Sequence, residues 1–184
     1  MTGKTHLLTG VCAGVLTAAS IASDNAIMFG LTITATCMGS IIPDIDNEKS
    51  MVGSNIKILS KLINKISGHR GFTHAPLLLA VFFIAMYYVM KHYQFEYYMP
   101  VLYGYTIGYT SHLLLDMLTK NGIPLLYPFL KKRTHIFNIK SGGIAEFLIL
   151  CGLLVIIIAS LFLFLCIKNN DLPLWQVIVF IFEL

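Results

Sequence analysis

The chain is poor in charge, and this shortage argues against a soluble fold. Only 12% of its 184 residues are charged, whereas 57% are apolar and the mean hydropathy is +0.76. A typical soluble domain carries about 25% charged residues. The composition therefore predicts a protein embedded in a membrane.

Several catalytic motifs are also missing. The sequence has no serine-nucleophile motif and no glycine-rich phosphate loop, which disfavours covalent acyl transfer and nucleotide hydrolysis. Its four cysteines lie within apolar runs and lack CxxC spacing, so we interpret them as buried free thiols. The net charge of +4 is explained by membrane anchoring, and no specific nucleic-acid partner is expected.

Apolar runs divide the chain into five candidate helices. Ile144–Ile167 is the clearest, because it exceeds the ~20 residues needed to cross hydrocarbon. The first run continues through Asp24 and Asn25 into the second, so we interpret it as a retained helix rather than a cleaved signal. We predict an all-α, polytopic membrane bundle of about five apolar helices, forming a single domain over residues 1–184. The four shorter runs are Leu7–Ala22, Ala26–Pro43, Ala75–Met90 and Met99–Leu118.

Basic residues predict the orientation of this bundle. Alternate crossings place the N-terminus and the loops 44–74 and 119–143 on one side, which carries eleven lysines and arginines. Only Lys91 and Lys168 lie on the other side. Because positive charge favours the cytoplasm, we expect a multi-pass inner-membrane protein with these loops inside the cell. The eleven are Lys4, Lys49, Lys57, Lys61, Lys65, Arg70, Lys120, Lys131, Lys132, Arg133 and Lys140.

The first cytoplasmic loop contains an amphipathic segment, Asn55–Ile66. Apolar residues such as Ile58 and Leu62 recur at helical spacing, and lysines recur every four residues on another face. This pattern predicts an interfacial amphipathic helix in the headgroup layer, with membrane lipid as its partner. A helix packed on the bundle is the alternative. The apolar run 122–130 is also placed at the interface.

Two short motifs offer metal ligands at the predicted cytoplasmic surface. His112 and Asp116 are four residues apart and project from one helical face, where both can bind the same cation. The alternative is that Asp116 caps the following turn. Asp44 and Asp46 follow Pro43 and provide hard oxygen donors for Mg²⁺, Mn²⁺, Fe²⁺ or Zn²⁺, although an acidic turn is the common alternative.

A third motif, His69-Arg70-Gly71-Phe72-Thr73-His74, precedes an apolar run. Its two imidazoles flank an arginine whose planar fork suits phosphate or carboxylate. A solvated basic anchor is the alternative for this motif taken alone. Independent causes would not be expected to bring all three motifs to one surface, so together they predict a metal site. His6 and Glu146 also lie at this surface, although alone each is weak evidence.

The ordered set of motifs resembles a known family. In order and spacing the chain is similar to the membrane-bound metal-dependent hydrolases of the YdjM type, which are under LexA control in some bacteria. That family is remotely similar to zinc-dependent phospholipases C and related nucleases. Gly142 stands where those proteins have a histidine four residues before Glu146, which favours one or two metal ions over three. The matching segments are Thr5–Leu8, Pro43–Asp46, His69–His74, Ser111–Asp116 and Gly122–Pro128.

The resemblance implies hydrolysis by metal-activated water at the cytoplasmic face. It implies one or two divalent ions, with Zn²⁺ expected and Mn²⁺ or Fe²⁺ as alternatives. The favoured substrate class is a phosphoester of an inner-leaflet lipid. The expected metal ligands are His6, Asp44, His69, His74, His112 and Asp116.

Other residues are expected to support these ligands. Asp46 is predicted to act as general base or as partner of a ligating histidine, and Arg70 to stabilise charge on a phosphoryl oxygen. Thr73, Ser111 and Glu146 are expected behind the ligands or as further ligands. A metal transporter or sensor and a non-catalytic scaffold with a structural metal, or none, remain open. Transport is disfavoured because mid-membrane ionisable residues are nearly absent.

Overall fold

The described part of the chain is helical, as predicted from the apolar runs. The computed structural model describes residues 1–68 and 70–170, with side chains described as far as residue 159. The final segment 173–184 and His69 lie outside the described residues. The six helices are α1 Gly3–Ile21, α2 Ala26–Ile41, α3 Lys57–Ser67, α4 Pro76–His92, α5 Met99–Met117 and α6 Ile144–Asn170.

Helix boundaries follow local sequence chemistry. The side chain of Asn25 caps α2 by accepting hydrogen bonds from the backbone N–H groups of Ile27 and Met28. Pro76 and Pro100 lie in the first turns of α4 and α5, where a missing N–H costs nothing. Pro43 instead opens a 3₁₀ turn, Ile42–Asp46, that continues α2 and holds both aspartates of the acidic motif.

Helices α1, α2 and α5 form the centre of the bundle, with α6 against α1 and α4 against α5. Glycines allow the central backbones to approach closely. A Cβ on Gly108 of α5 would lie 2.0 Å from the Thr36 carbonyl oxygen of α2, and one on Gly104 would lie 2.7 Å from the Thr32 carbonyl oxygen. Small residues four apart are typical of helix packing within membranes.

The polarity of the bundle is reversed relative to a soluble domain. Buried positions include threonines, histidines and aspartates, whereas large apolar side chains such as Val81 and Ile84 of α4 and Phe147 of α6 face outward. Outward apolar surface of this extent is expected for a lipid-facing bundle.

The number of membrane spans stays a prediction. Among the described residues, one helical stretch, Ala26–Asp46, is both long and apolar enough to cross a bilayer. Pro76–His92 and Ile144–Ala159 are apolar but shorter. The all-α class is confirmed for the described residues, while the five-span topology is not.

Candidate metal centre

Three separate segments bring four possible metal ligands together. Asp44 comes from the 3₁₀ turn after α2, His74 from a second 3₁₀ turn, Phe72–His74, and His112 and Asp116 from the last two turns of α5. One ligand atom from each of these four residues lies within 4.8 Å of the others. The sequence placed all four at one surface, and the fold brings them to one point.

The spacing of the ligand atoms suits a small divalent cation. His74 Nε2 lies 3.2 Å from His112 Nε2, 3.4 Å from Asp116 Oδ2 and 3.7 Å from Asp44 Oδ1. Metal–ligand bonds of about 2.0–2.1 Å place the ligands of a tetrahedral zinc about 3.3 Å apart. Two imidazole nitrogens and two carboxylate oxygens also form a donor set that Zn²⁺, Mn²⁺ and Fe²⁺ accept.

The backbone fixes the tautomer of His112. Its Nδ1 lies 2.7 Å from the Ser40 carbonyl oxygen, an atom that can only accept a hydrogen bond. Nδ1 therefore carries the proton, and the Nε2 lone pair points at the other ligands. A carbonyl behind a ligating histidine is a common way to orient the ring.

Asp46 orients His74 from behind. The fully buried Asp46 carboxylate lies 3.4 Å from His74 Nδ1, on the side of the ring opposite the ligand cluster. Asp46 Oδ2 also accepts hydrogen bonds from the Arg70 backbone N–H at 2.7 Å and from Thr73 Oγ1 at 2.9 Å. This position corresponds to the second of the two roles predicted for Asp46, and it places Thr73 in the same supporting network.

Carboxylates determine the charge of His74. Burial alone would lower its pKa, but the carboxylates of Asp116, Asp44 and Asp46 outweigh burial and raise the pKa of His74 to about 10. His74 is thus protonated at neutral pH. A bound cation would take the place of that proton.

Asp116 faces positive groups on both of its oxygens. Oδ2 pairs with Arg70 Nη2 at 2.9 Å, while Oδ1 lies 2.5 Å from the Met1 amino group and 3.3 Å from His6 Nε2. A buried carboxylate needs such partners, because burying an unpaired charge is costly. The alternative for Asp116, a simple turn cap, does not describe this environment.

Arg70 is anchored on several sides. Its Nη1 donates to Thr119 Oγ1 at 3.0 Å and to the Gly122 carbonyl oxygen at 3.2 Å, while its buried Nε has no hydrogen-bond partner in the described part of the chain. Its backbone adopts a φ of 58°, a left-handed conformation that is strained for a residue with a side chain. The guanidinium is directed at Asp116, and only 6% of the residue is exposed.

His6 completes the inner surface of the site. Its ring stacks on that of His112 with centroids 3.7 Å apart. Its Nε2 lies 3.3 Å from Asp116 Oδ1, while its buried Nδ1 has no hydrogen-bond partner among the described residues. Buried polar groups are normally satisfied, so Nδ1 is suited to bind a ligand. The structure places His6 beside the four-ligand cluster.

The two remaining predicted supporting residues lie elsewhere. Glu146 is buried and bonded at both oxygens: Oε1 accepts from Thr2 and Thr5, and Oε2 accepts from the Gly142 N–H at 2.7 Å. Glu146 thus joins the start of α6 to the start of α1, which carries His6. Ser111 Oγ donates to the Gly108 carbonyl within its own helix, away from the site.

Sequence reasoning missed two residues that hold the site. The Tyr109 hydroxyl donates a hydrogen bond to the Thr73 carbonyl oxygen, and Thr119 Oγ1 accepts one from the Arg70 guanidinium. Neither residue is set apart by spacing. The Gly104-x-x-x-Gly108 pair, which sets the distance between α5 and α2, did have a readable signal in the sequence.

Comparison with known proteins places this architecture in a family. The model of the YdjM inner membrane protein family matches residues 1–182. The chain is 36% identical over 154 residues to YvsG of Bacillus subtilis, covering 83% of this chain and 89% of that protein. It is 42% identical over 98 residues to the inner membrane protein YdjM of Escherichia coli and likewise to that of Shigella flexneri.

These last two matches cover 52% of this chain and 48% of each relative, so they span about half of either protein. No solved structure matches the chain. The family match covers the whole described structure, including the four residues that could hold a metal ion. The chain belongs to the YdjM inner membrane protein family.

Proposed function

We propose that this chain is a metal-dependent hydrolase that acts on a phosphoester of a membrane lipid at the cytoplasmic face. The observation that carries the proposal is the convergence of Asp44, His74, His112 and Asp116, whose ligand atoms lie within 4.8 Å of one another. Asp46 adds a third carboxylate beside this cluster, and it is fully buried. So many buried ionisable groups are costly without a compensating cation.

The residues present define how such a site would operate. His6, His74, His112 and Asp116 are at most 1% exposed, whereas the Asp44 side chain is 16% exposed, so a substrate would approach from the Asp44 side. Asp46 and the Ser40 carbonyl hold His74 and His112 with Nε2 directed inward. When bound, a divalent metal would lower the pKa of a coordinated water towards ~7.

The arrangement around Asp116 favours two ions over one. Four ligands complete a tetrahedral zinc and leave no position for water. Asp116 presents Oδ2 to His74 and His112 and Oδ1 to His6, so His6 and Asp116 would help to hold a second divalent ion beside the first. An ion held by fewer than four protein ligands would leave a position for water.

Arg70 is proposed to stabilise the negative charge that develops on a phosphoryl oxygen. Its guanidinium neutralises the Asp116 carboxylate at 2.9 Å. A metal bound to Asp116 would compete for that carboxylate and release part of the guanidinium.

The test combines metal content with turnover. Detergent-purified protein is analysed by mass spectrometry for bound metal and assayed for headgroup release from phospholipid vesicles, beside His74→Gln, His112→Gln and the exposed control His135→Ala. We expect one or two equivalents of transition metal in the wild type and in His135→Ala, and loss of both metal and turnover in the other two variants. Wild-type protein that remains metal-free after incubation with Zn²⁺ and Mn²⁺ would contradict the proposal.

A scaffold with a structural metal is the second candidate, and the near-complete burial of the ligands favours it. Such a protein would bind one ion through four residues and release no product from any phospholipid. Metal content without turnover, with a single equivalent bound, would select this candidate over the hydrolase.

A further inference from the structure

Helix α3 packs on the protein through its polar side. Ser60 is fully buried, and Asn64 Nδ2 donates to the Asp46 carbonyl oxygen at 2.8 Å. Both residues lie on the face directed at the 3₁₀ turn Ile42–Asp46. The helix is therefore fixed to the turn that carries Asp44 and Asp46.

The apolar side of α3 points away from the protein. Ile58, Leu62 and Ile66 recur at intervals of four residues and are 88%, 53% and 76% exposed. A helix that simply packed on the bundle would bury this stripe and expose Ser60 and Asn64. The structure has the opposite arrangement, so the apolar stripe of α3 is directed at something outside the chain.

Positive charge borders that stripe. Lys57, Lys61 and Lys65 are exposed and lie on the adjacent face of α3. On an α-helix, residues spaced four apart form a row, so the three ammonium groups run parallel to the apolar row. Parallel apolar and basic rows are typical of helices that lie in an anionic headgroup layer.

A second exposed segment has the same character. Leu126, Phe129 and Leu130 are 60%, 82% and 54% exposed and are followed by the exposed Lys131 and Lys132. This segment follows Gly122, whose carbonyl accepts from Arg70. Since the Arg70 backbone bonds to Asp46, both segments are tied to the metal centre within a few residues.

We propose that α3 and residues 126–132 form one docking surface for anionic phospholipids, which sets the metal centre at the depth of the headgroups. Charge complementarity favours anionic lipids, because five lysines would face the headgroups. The apolar side chains that they flank would lie at the boundary between headgroups and acyl chains. A second copy of the chain fits less well, because a symmetric contact would bring the lysine rows of the two copies together. The proposal does not depend on the hydrolase function.

Fluorescence quenching tests this docking surface. The full chain is reconstituted into nanodiscs of phosphatidylcholine with or without phosphatidylglycerol, part of either lipid carrying brominated acyl chains. Leu62→Trp and Ile66→Trp are each made in a Trp175→Phe background, with Ser54→Trp, in the exposed loop before α3, as the control. We expect both helix tryptophans to be blue-shifted and quenched by brominated phosphatidylglycerol, while Ser54→Trp keeps a solvent-like spectrum.

The lysine row has its own test in the same background. Replacing Lys57, Lys61 and Lys65 by Gln is expected to remove most of the quenching by brominated phosphatidylglycerol. A blue-shifted but unquenched tryptophan would indicate burial against protein, a second copy included, and would overturn the proposal. Quenching that is equal at positions 54 and 62, or unaffected by lipid charge and by the lysine substitutions, would overturn it as well. The readout requires neither metal nor turnover, so it is independent of the hydrolase proposal.

Discussion

Asp46 is the residue on which the orientation of the metal centre depends most. Its carboxylate faces His74 Nδ1 at 3.4 Å and accepts from the Arg70 N–H at 2.7 Å. Asp46→Asn preserves the shape of the side chain but removes the charge that orients the imidazole. We expect metal affinity to fall by about 10- to 100-fold, the usual effect of losing such a partner.

Competition with a zinc-binding indicator dye measures this loss. Asp24→Asn is the matched control, because Asp24 is exposed and, within the described part of the chain, accepts a hydrogen bond from its neighbour Ser23 and lies outside the cluster. Equal affinities in the wild type and Asp46→Asn would mean that Asp46 does not orient His74.

The proton on His74 makes metal uptake dependent on pH. Because the pKa of His74 is raised to about 10, the imidazole is protonated at neutral pH and must lose this proton to bind metal. Affinity should therefore rise with pH, by up to about tenfold per unit for one displaced proton. Dye competition between pH 6.5 and 8.5, with proton release measured in weakly buffered solution, checks this expectation. A flat profile without proton release would show that His74 is not a ligand.

The positions of Thr73 and Ser111 could not be inferred from the sequence alone. Thr73 and Ser111 each precede a ligating histidine, but Thr73 bonds Asp46 and Ser111 bonds its own helix. In an α-helix, consecutive side chains diverge by about 100°, so the neighbour of His112 points to another face. Thr73 lies in a tight 3₁₀ turn beside Asp46, where a different geometry applies. Proximity in sequence could not distinguish the two cases.

At the scale of the helix, the close approach of α5 to α2 should be sensitive to a single methyl group. Gly108→Ala places a Cβ 2.0 Å from the Thr36 carbonyl oxygen, and backbone atoms must move to accept it. We expect a loss of about 1–3 kcal/mol in the free energy of unfolding, the usual cost of overpacking, together with weaker metal binding as His112 shifts.

Gly30→Ala provides the control for this helix pair. Gly30 lies in α2 and is exposed, and beyond the nearby backbone of its own helix no described atom lies within 4 Å of where a Cβ would be. This substitution should be neutral or stabilise the protein by up to about 1 kcal/mol, because alanine favours helix. The measurement is the unfolding temperature of Gly108→Ala and of Gly30→Ala in detergent. Similar unfolding temperatures would contradict the proposed close packing.

The helices could largely be predicted from the sequence, whereas the bonds between them could not. Apolar runs bounded by proline gave α2, α4 and α5 to within two residues at most ends. The contact between Glu146 and Thr2 joins residues 144 apart, and the contact between His112 and Ser40 joins residues 72 apart. Such pairs depend on which helices become neighbours, and no local pattern specifies that choice. The four clustered residues could be assigned to one surface beforehand, because each lies near the end of an apolar run.

For the whole molecule, the orientation in the membrane is the prediction that joins the metal centre to its substrate. The basic loops 44–74 and 119–143 carry the ligand turns and the docking surface, and both are expected inside the cell. Lys49→Cys and Lys140→Cys should therefore resist a membrane-impermeant maleimide applied to intact cells and react after the membrane is opened. Lys91→Cys, at the end of α4, should react in intact cells.

Native cysteines need no removal if the unsubstituted chain gives the background. Labelling of Lys49→Cys in intact cells would place the metal centre outside and exclude an inner-leaflet substrate, since hydroxide delivered at one surface cannot reach a headgroup at the other. A third outcome is that Lys49→Cys and Lys91→Cys both react only after the membrane is opened. This outcome would show that α4 and α5 do not cross the membrane. The metal centre would then be a peripheral site held at the membrane by Ala26–Asp46, the stretch formed by α2 and its 3₁₀ turn, whose length and composition suffice for a span.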